Sequence, residues 1–195
     1  MSQETWVLAS HNAGKIKELK DLLERRDVSL LSASDLSLPE PDETEPTFEG
    51  NAALKAEAAA KAVEKVCLAD DSGLSVDALD GAPGIYSARW AGEPRDFQRA
   101  MQRVHDALGA SRDRTARFVC VIAVAKPGSK TRLYRGEVEG EIVWPPRGEA
   151  GFGYDPIFQP KGYDRTFAQM SMEEKRALSH RGRALALMME AEFKA

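Results

Sequence analysis

The sequence contains few cysteines and no recognisable targeting segment. Its two cysteines, Cys67 and Cys120, both lie in apolar runs, where a buried free thiol is the usual state. Two cysteines without close pairing do not describe a disulfide framework. The first five residues also lack the basic start and apolar core of a signal peptide, so we expect a protein of the reducing cytoplasm.

Long apolar runs and an excess of positive charge are also missing. No run approaches the roughly 20 apolar residues that span a bilayer, which argues against a membrane protein. The 27 lysines and arginines are outnumbered by 31 aspartates and glutamates, which gives a formal net charge of -4. We therefore expect no nucleic-acid partner, although a local basic pocket is compatible with an acidic total.

The composition that remains is that of an ordinary soluble globular protein, with 43% hydrophobic and 30% charged residues. A chain of 195 residues suits one large domain or two fused lobes. Strand-like and helix-like runs alternate through the first half, which favours an α/β sheet. We expect strands at 5–10, 28–31, 66–69, 74–76, 117–125 and 133–143, the last with a break at Gly140, and helices around 16–23, 47–65 and 97–108 and from 171 and 181 onward.

The run Ala69-Asp70-Asp71-Ser72-Gly73-Leu74 carries the strongest chemical signal. Two adjacent acids follow an apolar strand and precede Ser-Gly, which predicts a strand that ends in a turn. Burying two like charges together is costly unless a cation or a proton is shared. Two carboxylates at the end of a strand therefore suit Mg²⁺, which prefers oxygen ligands. A solvated Asp-Ser-Gly turn is the alternative for this segment alone.

Two further segments offer groups for phosphates. Ser10 to Lys15 lies between the first strand and the first helix, where backbone N–H groups and the helix N-terminus can face an anion. The spacing is not that of a Walker P-loop, and an ordinary capped turn is the alternative. Asn51 and Lys55 are one turn apart on the next helix and face the same way; a solvated lysine is the alternative there.

The C-terminal third offers groups that could recognise a base. Gly151 to Phe158 is a glycine- and aromatic-rich loop suited to stacking on a flat ring, or else a tight turn with two aromatic core residues. Lys175 and the run Ser179 to Gly182 place two fixed cations and an imidazole near a helix start, and Arg89 is a further cation. Together with the acids and lysines above, these segments describe a Mg²⁺–nucleotide site.

The segments 8–15, 47–56, 69–77, 81–89, 151–158 and 173–182, in this order, resemble the Ham1-like family of inosine triphosphate pyrophosphatases. The resemblance implies an α/β fold with a long mixed central sheet flanked by helices. It also implies a single domain over 1–195, built as two lobes with the active-site cleft between them, and a homodimer. His11 stands where many members have glycine, so the phosphate loop is expected to be bulkier or to make an extra contact.

The resemblance also implies roles for individual residues. The catalytic residues it implies are Asp71, Asp70 and Lys55. The implied ligands of Mg²⁺ are Asp71 and Glu43, with Asp42 and Glu45 as competitors for the place of Glu43. The implied substrate-binding residues are Ser10, His11, Asn12, Ala13, Gly14, Lys15, Ser72, Arg89, Phe152, Gly153, Tyr154, Asp155, Lys175, His180 and Arg181.

The expected activity is hydrolysis of ITP, dITP and XTP to the monophosphate and pyrophosphate, with Mg²⁺ as cofactor and a small-molecule nucleotide as substrate. Buried polar groups matched to a 6-keto purine should make ATP a poor substrate. Two other functions stay open at this point. One is a pyrophosphatase for other modified or pyrimidine nucleotides, and the other is a sensor that binds a triphosphate without hydrolysing it.

Overall fold

The computed structural model describes residues 4–11 and 13–193. Its strands are β1 Glu4–Leu8, β2 Val28–Ser32, β3 Val66–Val76, β4 Thr115–Ala125, β5 Arg132–Ile142 and β6 Phe158–Pro160. Its α-helices are α1 Ala13–Glu24, α2 Phe48–Val63, α3 Phe97–Leu108, α4 Met172–Leu178 and α5 His180–Glu192. Short 3-10 helices cover Asp77–Leu79, Gly84–Tyr86, Arg89–Ala91, Asp155–Ile157 and Phe167–Gln169.

The strands form a six-stranded sheet with the order β2-β1-β3-β4-β5-β6. Strand β1 pairs in parallel with both β2 and β3, whereas β5 and β6 are antiparallel. Parallel neighbours require crossover connections, and here α1 links β1 to β2 and α2 leads into β3. The expected mixed α/β sheet is confirmed.

Local sequence explains where the helices begin. Thr47 precedes α2, and its hydroxyl accepts a hydrogen bond from the amide N–H of Gly50. Ser171 and Glu174 form the reciprocal capping box at the start of α4 that their spacing predicts. These side chains bind backbone N–H groups that have no partner within the helix, which fixes the first residue of each helix.

Two sequence expectations about the strands are wrong. Strand β3 continues without a turn from Val66 to Val76, through the Asp-Asp-Ser-Gly run. The pairing of β3 with β1 ends at Leu68, and its other neighbour in the sheet is β4. Pairing within the sheet overrides the turn preference of those residues. Strand β5 likewise continues through Gly140, which pairs with Pro160 of β6. A Cβ atom there would collide with the backbone of Gln159, so Gly140 allows close pairing rather than a break.

The chain divides into two compact units. Unit 1 comprises Met1–Asp71, Val121–Tyr134 and Met188–Ala195, and unit 2 comprises Ser72–Cys120 and Arg135–Leu187. Buried apolar side chains of unit 1 include Trp6, Leu8, Leu23 and Leu68, and those of unit 2 include Phe118, Phe158 and Phe167. Each unit thus has apolar side chains removed from water. The prediction of one domain with two lobes stays a prediction.

None of the helices within the described part of the chain has the length and apolar character needed to cross a bilayer.

A buried carboxylate fastens the C-terminal end of α5 within unit 1. The Glu192 side chain is 0% exposed and binds Arg132, the Tyr134 hydroxyl at 2.6 Å and Lys126 Nζ at 3.1 Å. Burial and the adjacent Glu192 carboxylate raise the pKa of Tyr134 to about 12. Next to Glu192, the Phe193 ring stacks on Trp6 with centroids 5.1 Å apart. The carboxylate therefore stabilises the end of the chain.

We expect Glu192→Ala to lower the free energy of unfolding by about 1–3 kcal/mol, because it leaves a part-buried hydroxyl and two partly exposed cations without their shared acceptor. Urea unfolding followed by circular dichroism measures the change. Glu139→Ala is the matched control, since the Lys161–Glu139 ion pair is largely exposed and its loss should cost under about 1 kcal/mol. Equal losses from both variants would contradict the assignment.

Candidate active site

The connection from β1 to α1 contributes the first group of expected residues. Ser10 is buried, and its amide N–H donates to the Leu8 carbonyl. The ring of His11 is exposed and lies 2.9 Å from the Ser34 hydroxyl through Nδ1. Ala13, Gly14 and Lys15 form the first turn of α1, and the N-terminal end of a helix favours an anion. Asn12, the remaining residue of the expected loop, lies outside the described residues.

Lys15 is bound to the first acid of β3. Its Nζ donates to both carboxylate oxygens of Asp70, at 2.9 and 2.7 Å. Asp70 is buried, whereas the lysine is partly exposed. A buried carboxylate requires such a partner, because removing an unpaired charge from water costs several kcal/mol. The ion pair thus ties the start of α1 to the middle of the sheet.

Lys55 lies between two other acids. From the middle of α2 its Nζ donates to Glu43 Oε1 at 2.6 Å and lies 4.0 Å from Asp71 Oδ1. Burial disfavours its ammonium form, but the hydrogen bond to Glu43 and the nearby Asp71 and Asp70 carboxylates outweigh that effect and raise its pKa. The lysine is therefore a fixed cation at physiological pH.

Strand geometry explains why the two adjacent acids bind different lysines. Consecutive residues of a strand direct their side chains to opposite faces of the sheet. Asp70 binds Lys15 and Asp71 faces Lys55. Asp70 thus pairs with Lys15, and Glu43 and Asp71 share the ammonium group of Lys55.

The start of α2 holds Glu45 and leaves Glu43 against Lys55, whereas the identity of the metal ligand among Asp42, Glu43 and Glu45 stays a prediction. The amide N–H of Glu45 donates to Asn51 Oδ1 at 3.0 Å, and Asn51 is fully buried. A Cβ at Gly50 would collide with the side chain of Glu45, so the glycine lets this loop lie against the helix. With Glu45 held in this way, it is Glu43 that binds Lys55.

The carboxylates around Lys55 could serve a divalent cation. Within residues 4–11 and 13–193, no group of three or more His, Cys, Asp or Glu side chains is arranged to hold a metal ion. Glu43 and Asp71, however, bring carboxylate oxygens to the same ammonium. Two carboxylates fit a hard cation such as Mg²⁺, which is usually completed by water and substrate phosphates.

A second cluster lies in unit 2, at the loop Gly151 to Asp155. The buried carboxylate of Asp155 accepts from the Phe152 amide at 2.8 Å and from Lys175 Nζ. Burial raises the pKa of Asp155, and the charge and hydrogen bond of Lys175 oppose that shift. A Cβ at Gly151, whose φ is +78°, would collide with this carboxylate, so glycine is required there.

The two aromatic residues of this loop have different surroundings. The Phe152 ring is 71% exposed, with Lys175 Nζ 4.6 Å from its centroid. Tyr154 is only 3% exposed; its hydroxyl donates to the Ser87 carbonyl at 2.7 Å and its ring packs edge-on against Phe97. Between them Gly153 adopts φ +66°. Phe152 is thus the ring available for stacking, and Tyr154 anchors the loop.

The remaining expected residues are distributed through unit 2. Ser72 follows Asp71 within β3. Arg89 is exposed in a 3-10 helix, with its guanidinium 5.2 Å from the Tyr86 ring centroid. His180 and Arg181 form the start of α5, and the His180 ring stacks on Phe118 with centroids 5.0 Å apart.

Nearly the whole chain matches a known protein family. The model of the Ham1 family matches residues 6–191. The chain belongs to the Ham1 family. It is 55% identical over 183 residues to a dITP/XTP pyrophosphatase of Gluconobacter oxydans (strain 621H), covering 94% of this chain and 88% of the relative. It is also 55% identical over 203 residues to a dITP/XTP pyrophosphatase of Rhizobium meliloti (strain 1021), covering 96% and 95%.

Solved structures of Ham1 proteins share the fold. A HAM1 protein from Coxiella burnetii superimposes with a TM-score of 0.94 at 41% identity, covering 98% of this chain and 100% of that one. The Ham1 protein of Staphylococcus aureus gives a TM-score of 0.91 at 44% identity, with coverage of 97% and 100%. The similarity in fold thus extends over nearly the whole chain.

Some residues of this Ham1 site cannot be found from spacing in the sequence. Phe118 lies on β4 and stacks on His180, 62 positions later in the chain. Phe167 lies 5.6 Å from Lys175 Nζ. Both are apolar residues in apolar surroundings, for which a core position is the ordinary interpretation. By contrast, Asn51 could be singled out because a buried face of an alanine-rich helix seldom carries an amide.

We expect Asn51→Ala to weaken binding of a divalent cation, because the loop that presents Glu43 loses its attachment to α2. Calorimetric titration with Mn²⁺ measures the affinity, and urea unfolding should show a loss of about 1–3 kcal/mol. The control is Thr47→Ala, which removes only the helix cap at a cost of about 1 kcal/mol. Unchanged Mn²⁺ affinity in folded Asn51→Ala would exclude the positioning role.

Proposed function

We propose that this protein is a nucleoside triphosphate pyrophosphatase that hydrolyses ITP, dITP and XTP to the monophosphate and pyrophosphate. The observation that carries the proposal is Lys55, a buried ammonium shared by Glu43 and Asp71 on the segment where a phosphate-transfer site is expected. The curated relatives named dITP/XTP pyrophosphatase, which cover most of the chain, support the choice of substrates. Removal of such nucleotides from the cellular pool is the corresponding role.

Mg²⁺ is the proposed cofactor, with Glu43 and Asp71 as its protein ligands. Both carboxylates already lie around one cationic group, so their positions suit a second shared cation. When bound, Mg²⁺ supplies charge neutralisation and polarisation of the phosphate oxygens. Lys15 and the first turn of α1 bind the negative charge of the triphosphate.

In the proposed reaction, a water oxygen bonds to the α-phosphorus while the bond from that phosphorus to the bridging oxygen of pyrophosphate breaks. Asp71 accepts the water's proton at a carboxylate oxygen. Lys55 remains protonated because its pKa is raised, so it stabilises the negative charge that increases on the phosphate oxygens in the transition state. Asp70 keeps Lys15 in place through their ion pair.

The cluster of unit 2 is the proposed site for the base. Phe152 supplies an exposed ring for stacking, and Lys175, His180 and Arg181 supply hydrogen-bond donors for a 6-keto group. A purine with a 6-amino donor leaves such groups unpaired, which is a strong source of discrimination against ATP. A homodimer and a cytoplasmic location complete the proposal and remain predictions.

Product analysis tests the reaction. With Mg²⁺ and ITP we expect IMP and pyrophosphate, formed much faster than the corresponding products from ATP, and chromatography of the nucleotides with an assay for pyrophosphate measures both. Asp71→Asn should lower kcat by at least about 100-fold, because it removes the proton acceptor and a metal ligand. Asp77→Asn, which removes charge from the partly exposed Arg117–Asp77 pair, is the control and should retain kcat.

The outcomes separate the possible functions. IDP and orthophosphate would overturn attack at the α-phosphorus. Binding of ITP without any product would indicate a sensor, and faster hydrolysis of pyrimidine nucleotides would indicate a related pyrophosphatase. Near-normal turnover by folded Asp71→Asn would show that Asp71 is not a catalytic residue.

Stacking predicts a separate effect on substrate affinity. Phe152→Ala should raise KM for ITP about 5- to 150-fold with little change in kcat, because stacking on an aromatic ring contributes about 1–3 kcal/mol per base. Steady-state kinetics measures both constants. Tyr154→Phe keeps a buried ring and removes only the hydroxyl bond to Ser87, so its KM should change much less. A larger KM increase for Tyr154→Phe than for Phe152→Ala would show that Phe152 is not the residue that stacks on the base.

A further inference from the structure

Strand β5 and the first turn of α5 approach each other closely at Gly136. A Cβ atom at this position would collide with the carbonyl oxygen of His180 and the amide nitrogen of Ala184, and would lie 3.0 Å from Arg183 Cβ. Gly136 is not among the glycines with positive φ. The glycine is therefore required for the space it leaves, and the neighbours that use this space are mainly backbone atoms, which cannot rotate away.

Other contacts attach the same turn of α5 to the sheet. Arg183 Nη1 donates to the Glu137 carbonyl at 2.7 Å, at the residue next to Gly136 on β5. The Ser179 hydroxyl accepts from the Gly182 amide at 3.0 Å and so fixes the helix start. These bonds allow little lateral movement of the turn that carries His180 and Arg181.

The His180 ring is supported from β4. It stacks nearly parallel on Phe118, with an angle of 16° between the planes. Phe118 packs in turn against Phe158 and Phe167, with centroids 4.5 and 5.8 Å away. The imidazole thus rests on a buried aromatic cluster, and its position depends on the distance between the helix and the sheet. That distance is limited at Gly136.

We propose that Gly136 is a positioning residue that determines base selectivity by setting how closely the His180 turn lies on β5. The inference rests on the proposed function, in which His180 and Arg181 recognise a 6-keto purine. A methyl group at position 136 forces the turn outward by about 1 Å, and displacement on that scale is enough to weaken hydrogen-bond recognition greatly. Phe118 also positions His180, because the imidazole ring stacks on it.

Gly136→Ala is the test, and Glu139→Ala on the same strand is its control. The Glu139 side chain is largely exposed and pairs with Lys161, whereas a Cβ at Gly136 would strike the backbone of α5. Both variants therefore alter β5, and only Gly136→Ala should displace α5. The kinetic readout is the ratio of kcat/KM for ITP to that for ATP. We expect a fall of at least about 10-fold for Gly136→Ala, mainly through KM for ITP, and an unchanged ratio for Glu139→Ala.

A double-mutant cycle separates positioning from general damage. In a His180→Ala background, Gly136→Ala should lower the ITP/ATP ratio by much less than it does alone, because one of the two residues through which it acts is already gone. An additive loss in the double variant would overturn the proposal. If Gly136→Ala fails to fold, Phe118→Leu replaces it in the same cycle, with the same expected result.

A spectroscopic readout makes the test independent of catalysis. The chain has three histidines, so the ring signals of His180 can be assigned in NMR spectra with the His180→Ala variant. Gly136→Ala should shift these signals, because the ring moves relative to Phe118, and Glu139→Ala should leave them in place. Unchanged His180 signals in Gly136→Ala overturn the inference even where ITP is hydrolysed. Shifted signals in a protein that does not hydrolyse ITP would uphold the positioning and reject the proposed function.

Discussion

Burial of the two consecutive carboxylates of β3 determines how the site is assembled. Asp70 and Asp71 are both largely removed from water in the middle of the sheet, and an unpaired charge there costs several kcal/mol. Lys15 at the start of α1 and Lys55 in the middle of α2 supply the compensating charges. These ion pairs offset the cost of burying the two carboxylates, and they also set the positions of α1 and α2. Folding and the arrangement of the charged groups therefore have a single cause.

In the loop Gly151 to Asp155 of unit 2, a buried carboxylate is likewise paired with a lysine, Asp155 with Lys175. Burial raises the pKa of Asp155, and Lys175 stabilises its charged form. The lysine in turn lies against the exposed ring of Phe152, while the carboxylate accepts from the Phe152 amide. One ion pair thus holds both the loop and the ring that we propose to stack on a base. This ion pair and the buried ring of Tyr154 together give a glycine-rich segment a fixed shape.

The sequence predicted much of this arrangement, and its errors have identifiable causes. Helix starts followed from local chemistry, as the capping box at Ser171 and Glu174 shows. The turn expected at Asp70–Gly73 was wrong because local preference was outweighed by the position of this run within a sheet strand and by ion pairs to distant lysines. The family resemblance supplied the candidate residues. Spacing alone could not have identified Gly136 or Phe118, whose partners on α5 are more than 40 positions away along the chain.

Under the proposed function, the lysines have two competing sets of partners. Lys55 donates to Glu43 and faces Asp71, yet it is also the cation available to the phosphates. If Lys55 turned to a phosphate alone, two poorly solvated carboxylates would remain beside a highly charged anion, an arrangement that electrostatics strongly disfavours. A divalent cation held by Glu43 and Asp71 would neutralise these acids, so that Lys55 could donate to the phosphates without leaving the carboxylates unpaired. Nucleotide affinity and metal affinity should therefore be coupled through Lys55, and the raised pKa of this lysine keeps the coupling charge present throughout the physiological range.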